Sequence, residues 1–356
     1  MMIILGLILI LFIFIIFMAL FIWIFRKMIK IAVKYQPKYE RNNNTDEFNK
    51  FYEEICNEYK EYGDEINNYN KKINKQHKKA PSIVQMVICF ILILLSGFIS
   101  PFLCIALIIV SFIILVKITQ PIGENQNLIK SEYKERIIKK LIKKYSENLE
   151  YYPEKGLTRE EYEEASFNDY GQTISGFSSE DLIMGRISNN CQMKMSEVRV
   201  IAPSTEDSGV NYVFYGLFAK IELLYDLDMS FVIEGDRNIR KSDIGNYKLQ
   251  MDSTEFEKYY DVHTNDKIST LRIFTSDTMQ RLVDFINMTN VLPEISLHKN
   301  NLYIRFSTGD VFEPKVENFA EMNVLDKENI RKTYNMVNII FELIEKISND
   351  ILEFEK

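Results

Sequence analysis

The side chains able to do chemistry are few, and their spacing suits little of it. Three histidines occur, His77, His263 and His298, and none has a cysteine or carboxylate at metal-ligand spacing such as His-x-x-x-His. Four cysteines, Cys56, Cys89, Cys104 and Cys191, form neither a metal knuckle nor a redox pair, so they read as reduced small hydrophobes. The stretch Gly171-Gln172-Thr173-Ile174-Ser175-Gly176-Phe177 starts like a phosphate loop. It lacks the Gly-Lys-Ser/Thr that would hold phosphate and magnesium, and reads as an ordinary loop. Ser175 and Ser196 have no Gly-x-Ser-x-Gly elbow. No cofactor and no metal ion is therefore expected, and carboxylates remain the only candidates for a polar site.

The elements that would position such a site start at a membrane. Ile83 to Val116 is an uncharged apolar run broken at Ser96-Gly97-Phe98-Ile99-Ser100-Pro101. One helix through it would be about 50 Å long, far beyond a bilayer core of about 30 Å, so the break predicts a transmembrane helical hairpin at 81–118. Its first arm is short, which leaves open a shallow hairpin that re-enters without crossing. Lys75, Lys78 and Lys79 before it and Lys117 after it place both feet on the cytoplasmic side. Met1 to Trp23 is uncharged and followed by Arg26, Lys27, Lys30 and Lys34, with no cleavage site of small residues. Residues 1–30 are accordingly expected to be a permanent membrane anchor with its N-terminus outside. The protein is thus predicted to be a multi-pass cell-membrane protein.

Between anchor and hairpin, residues 31–80 hold a heptad seam of Phe48, Tyr52, Ile55, Tyr59, Tyr62, Ile66, Tyr69 and Ile73. The seam is rich in tyrosine and interrupted by Gly63, which predicts packing on another helix of the same chain rather than a free-standing coiled coil. The expected partner is 125–149, with Tyr133, Ile137, Leu141, Tyr145 and Leu149 down one side and Ile138 and Ile142 beside them. Lys130, Lys134, Arg136, Lys139, Lys140, Lys143 and Lys144 are read as its basic face, either simply solvated or facing lipid headgroups or an acidic partner.

Residues 119–356 are predicted to form a cytosolic α+β domain. Thr158-Arg159-Glu160-Glu161 has the form of a capping box. Period-two segments read as strands at Gln192 to Ile201, Tyr212 to Tyr225, Met229 to Ile233, Tyr247 to Met251, Ile268 to Phe274, Glu294 to His298 and Leu302 to Ser307. Short turns such as Lys299-Asn300-Asn301 make the sheet mostly antiparallel. Thr275 or Ser276 caps a helix to about Met288, and Asp326 caps a long C-terminal helix. Charge divides along the same boundaries. Within a formal net charge of −7, residues 26–80 carry an excess of four positive charges and 117–356 an excess of eleven negative ones. The basic part suits a lipid bilayer, and the acidic domain argues against nucleic acid.

Tyr151-Tyr152-Pro153, Ser179-Glu180-Asp181 leading to Gly185-Arg186-Ile187, Ser196-Glu197-Val198, Tyr215-Gly216-Leu217-Phe218, and Asp252 to Val262 followed by Asp266 form an ordered series. In that order they resemble the bacterial family catalogued as domain of unknown function 3137, from about Tyr133 to Pro314. The resemblance implies a membrane hairpin carrying a cytosolic α+β domain, and the family has no established activity to carry over. The chain departs from the pattern at Ser179, at Lys267 to Arg272 and in its added N-terminal anchor. The resembling segments single out Glu180, Asp181, Glu197 and Asp266 as the candidate binding cluster. Two of them brought within about 5–6 Å would bind a cation or share a proton. Otherwise Glu180 and Asp181 mark a turn, and Glu197 and Asp266 pair with nearby lysines. The expected function is a non-enzymatic binding or scaffold role toward a protein partner, oligomeric state open. The alternative is a membrane-bound metal-dependent hydrolase using the acidic cluster.

Overall fold

The computed structural model describes residues 45–77, 127–167, 173–187, 191–203, 211–225, 227–235, 247–314 and 324–354, with Phe102, Ile105, Ile109 and Val110 as single positions. The expected anchor at 1–30 and nearly all of the expected hairpin at 81–118 lie outside these. The four single positions are helical and exposed. Among the described residues no helix is long and apolar enough to cross a membrane.

Helix α1 (Thr45–His77) follows the seam only in part. Phe48, Phe51, Ile55 and Ile66 are buried, whereas Tyr69 is exposed. The helix kinks at Tyr59, where φ is −117° and ψ 20°. Gly63 admits Leu325, whose Cδ1 would stand 2.8 Å from an added Cβ. Helix α2 spans 127–145 and contains a π-helical turn, Lys134–Ile138. The expected pairing of α1 with α2 is present. Lys140 pairs with Glu58, and the Arg136 guanidinium lies 5.4 Å from the Tyr59 ring and 4.5 Å from that of Tyr62. Numbers rise along one helix as they fall along the other, so the two run antiparallel at this contact.

The basic face assigned to α2 is corrected at Lys134, which is buried. The rest of the face reaches solvent, with Lys130 paired to Glu313, Arg136 to Glu132 and Lys139 to Glu135. The helix also ends earlier than expected. Ser146 turns extended, with φ −153° and ψ 129°, and Leu149–Tyr152 forms strand β1, Leu149 and Tyr151 facing inward.

The capping box at Thr158 is formed and starts the short helix α3 (Arg159–Glu163). The strands that follow are β2 (Gly176–Arg186), β3 (Gln192–Ala202), β4 (Asn211–Glu222), β5 (Phe231–Gly235), β6 (Tyr247–Leu249), β7 (Tyr260–Thr264), β8 (Pro293–His298) and β9 (Asn301–Phe306). The described strands make one antiparallel sheet in the order β1-β2-β3-β4-β9-β8-β5-β7-β6. Ile268 to Phe274, expected as a strand, is instead helix α4 (Lys267–Ile273). Asp266 caps it by accepting from the backbone N–H groups of Ile268 and Ser269. Helix α5 (Ser276–Thr289) is capped by Thr275, and α6 (Lys327–Phe354) follows Asp326, which accepts from the Asn329 N–H.

Two layers enclose the sheet. On one face Tyr162 of α3 packs on Phe214 and Phe218 of β4, in a cluster with Leu157, Phe167, Val198 and Val200. On the other, Phe285 of α5 meets Phe306 of β9, Tyr145 of α2 stacks on Phe341 of α6 at 4.3 Å, and Phe48 and Phe51 of α1 pack on Tyr334 of α6.

Candidate functional site

Glu180 and Glu197 are paired across β2 and β3, which sets two carboxylates side by side. Like charges in that position repel, so the arrangement needs a cation or a proton. A bulge between Glu180 and Ile183 adds the third. At the bulge Asp181 adopts φ 61°, its N–H donates to the Pro153 carbonyl at 3.1 Å, and the Leu182 N–H donates to that of Lys155 at 3.0 Å. The segment after β1 thus straps the bulge and turns the Asp181 side chain inward, where it is fully buried.

Carboxylate oxygens of Glu180, Asp181 and Glu197 lie within 4.8 Å of one another. Lys134, from the π turn of α2, reaches into the group. Its Nζ stands 2.6 Å from Asp181 Oδ2, 3.1 Å from Glu180 Oε2 and 4.0 Å from Glu313 Oε1. The Tyr151 hydroxyl donates to Asp181 Oδ1. Glu197 Oε1 accepts from the N–H groups of Val311 at 2.5 Å and Phe312 at 2.8 Å. Its Oε2 is buried and receives no N–H among the described residues, and the Glu197 carboxyl also hydrogen-bonds the Asp310 carboxylate. At the outer rim Arg199 bridges Glu180 Oε1 at 2.9 Å and Asp310 Oδ1 at 2.8 Å, and lies over the Tyr215 ring.

Burial, against the pull of Lys134, pushes the Asp181 carboxyl up to about 6. Burial and then the charges of Asp181 and Asp310 push Glu197 well above the carboxylate range. Burial alone would lower Lys134, but the Asp181 charge outweighs it and holds the ammonium above its ordinary value. Burial and Asp181 likewise drive the Tyr151 hydroxyl upward. For Asp310 burial is outweighed by hydrogen bonds from Tyr215, Arg199 and Glu197 and by the Arg199 charge, and its carboxyl is lowered. The cluster is a network of ion pairs and hydrogen bonds around three closely set carboxyl groups.

Asp266 is not among the grouped carboxylates. Its half-buried carboxylate serves α4, and the Ser269 hydroxyl and N–H together with the Ile268 N–H hold it below its ordinary value. Lys134, Tyr151, Arg199, Asp310 and Glu313 complete the site, and sequence reasoning does not single them out. Lys134 carries a readable sign all the same: it lies four residues before Ile138 and eight before Ile142, on the apolar stripe. A second buried polar group is Arg305, which donates to Glu294 at 2.6 Å and to the Tyr162 hydroxyl at 2.9 Å and packs on Phe167, tying α3 to the sheet. The cleft between α5 and α6, lined by Arg281, Asp284, Phe285, Glu342, Leu343 and Lys346, contains none of these groups.

Fold and site define a class: an α+β domain whose antiparallel sheet carries an enclosed, ion-paired carboxyl cluster under a helix. Over residues 212–349 the chain matches the model of the family described as "Protein of unknown function (DUF3137)", the family that its ordered motifs resemble. The matched stretch runs from β4 into α6 and includes Asp266, Asp310 and Glu313, whereas Glu180, Asp181 and Glu197 precede it. No curated protein matches the chain. The crystal structure of the mycobacterial trehalose monomycolate transport factor A, TtfA, is similar at a TM-score of 0.28 and 10% identity, over 61% of this chain and 95% of that one. At that TM-score the likeness defines neither fold nor function here.

Proposed function

We propose that the chain is a multi-pass membrane protein that displays a cytosolic α+β domain in a non-enzymatic binding or scaffold role, with a protein as partner. The observation that carries the non-enzymatic part is enclosure. Asp181 and Glu197 are 0% and 1% exposed, with Lys134 and Tyr151 closed over Asp181, so a substrate has no approach to the two most perturbed carboxyls. Membrane placement is supported by the uncharged run Ile83 to Val116. Within it Phe102, Ile105, Ile109 and Val110, spaced three, four and one apart, are helical and all more than half exposed, an outlay that water disfavours and lipid accepts.

The reading as a metal-dependent hydrolase is favoured by the grouping of three carboxylates within 4.8 Å and opposed by the same enclosure. Placement is tested with single cysteines introduced by Asn42→Cys and Ser146→Cys in a chain freed of its native cysteines. Both are expected to react with an impermeant maleimide only in permeabilised cells, and labelling of intact cells would overturn the topology. Enzymatic function is tested by screening ester and phosphoester hydrolysis by the full chain with magnesium or manganese. Turnover lost in Glu197→Gln would replace the scaffold reading with the hydrolase one.

A further inference from the structure

We propose that the end of the sheet carrying Leu224, Tyr225, Ile268 and Leu271 is a docking surface for another protein, which binds through a segment bearing apolar and acidic side chains. The inference rests on the display reading and names the surface that does the displaying. Arg186, Gln192, Glu222 and Asn301 stand in one row across β2, β3, β4 and β9. Leu297, Phe231 and Thr264 continue that end across β8, β5 and β7. The Leu223 N–H donates to the Asn300 carbonyl at 2.8 Å, and the Ser230 N–H donates to Asn265 Oδ1 at 2.7 Å. The segment with Leu224 and Tyr225 is thereby held at both its ends, by the β8–β9 turn and by the junction of β7 with α4. Helix α4 turns Thr270 and Ile273 inward and leaves Lys267, Ile268, Leu271 and Arg272 outside. Leu224, Tyr225 and Ile268 are more than half exposed and Leu271 is 41% exposed. Four large apolar side chains gathered at one end of a sheet mark a contact surface rather than scattered exposure.

Position and charge identify the occupant. Helix α2 starts at the opposite end of the sheet, past Lys134 at Asp181 and Lys130 at Glu313, and α1, antiparallel to it, ends there too. The run Ile83 to Val116 joins those two helix ends, so on the membrane reading the surface faces away from the bilayer, about 30 Å along β2 from them. Residues outside the described ones join this end of the sheet only at 188–190 and at 226, too few to cover it. Arg186, Arg272 and Lys299 are exposed there with no carboxylate within 4.0 Å among the described residues, and Lys267 adds a fourth cation. The exposed carboxylates are Glu222 and Asp228, since Asp266 is taken up by the N–H groups of α4. Cations thus outnumber carboxylates at this end of a domain whose residues 117–356 carry an excess of eleven negative charges. A second copy docked by two-fold symmetry would bring the same cations together and is disfavoured. An acidic segment with apolar side chains matches both the charge and the apolar centre.

The test places the photocross-linker benzoylphenylalanine at Leu271, and separately at Asp284 in the cleft between α5 and α6, in the full chain within the cells that make it. Mass spectrometry then maps each adduct to its residues. Expected at 271 is an adduct with one other protein, through a segment richer in acidic than in basic residues, and at least about tenfold less of it with Ile268→Asp or with Arg272→Glu. Both side chains are exposed, so neither change disturbs the core. An adduct at 271 with phospholipid, with a second copy of this chain or with its own residues 1–44 would overturn the surface, as would no adduct or one that Ile268→Asp leaves unchanged. A protein adduct indifferent to Arg272→Glu would overturn the acidic partner. A protein adduct at 284 alone would leave the display reading standing on another surface, and none at either position would remove both.

Discussion

Lys134 and Asp181 are the pair on which the cluster's electrostatics turn, with Nζ 2.6 Å from Oδ2 and both residues buried. Removing one member of such a pair strands the other charge. Lys134→Met is therefore expected to cost about 3–5 kcal/mol in denaturant unfolding, and Lys134→Met with Asp181→Asn to recover part of it, because no buried charge is then left alone. Asparagine also tolerates the left-handed backbone at 181, where φ is 61°. The same carboxyls set a pH dependence. Burial raises Asp181 from its ordinary 3.8 to about 6 and raises Glu197 as well, so the folded state binds protons more tightly than the unfolded one. Their contribution to stability accordingly falls as pH rises from 3.8 through about 6. Thermal melts should show stability increasing from neutral pH toward about pH 5, with a shallower slope in Glu197→Gln. Glu180, Asp181 and Glu197 are legible as candidates because their segments fall in an ordered motif series. Lys134 escapes notice because its charge suggests solvent while its position on the apolar stripe says otherwise. Val311 and Phe312, which hold Glu197 through backbone N–H groups more than a hundred residues along the chain, leave no local mark in sequence.

Strands β3, β8 and β9 and helices α5 and α6 are legible because period-two or period-3.6 patterning and the turns or caps beside it agree there. Helix α4 is not. Ile268, Ser269, Thr270 and Leu271 look like a strand by composition, yet Asp266 takes two N–H groups and the Thr264 and Thr270 hydroxyls meet at 2.8 Å, which favours the helical turn. Within β2, Glu180-Asp181 suggests a turn because it marks a bulge, a feature that tertiary strapping creates. Gly216 in the Tyr215-Gly216-Leu217-Phe218 motif lets two strands close on each other, since a Cβ there would stand 2.0 Å from the Phe306 carbonyl oxygen. Gly216→Ala is expected to pry β4 from β9 and lower stability by about 2–4 kcal/mol in urea unfolding. Arg136 clasps α1 through the Tyr59 and Tyr62 rings, so Arg136→Met should cost about 0.5–2 kcal/mol and speed amide exchange along α1 more than in the sheet.

Residues 41–356 form one compact unit in which distant parts of the chain close the sheet, β4 pairing with β9 and α6 lying against α1, α2 and α5. That long-range order is what local patterning conveys least; the α+β class is readable, and the strand order is not. A chain ending at Asp326 would leave the apolar partners of Tyr334, Phe341, Ile344 and Ile347 bare, and is expected to lose cooperative unfolding and to bind hydrophobic dyes. The π turn of α2 also has a consequence for how the gene tolerates change. A π turn winds one more residue into the helix than α-helical pitch would hold. Deleting a single codon within 134–138 would restore that pitch and swing residues 127–133 of α2 by about 100° about the helix axis relative to the part that follows. The cluster's lysine and the first turns of α2 are thus phased to the sheet by one surplus amino acid, and this short stretch should resist length variation that nearby loops would absorb.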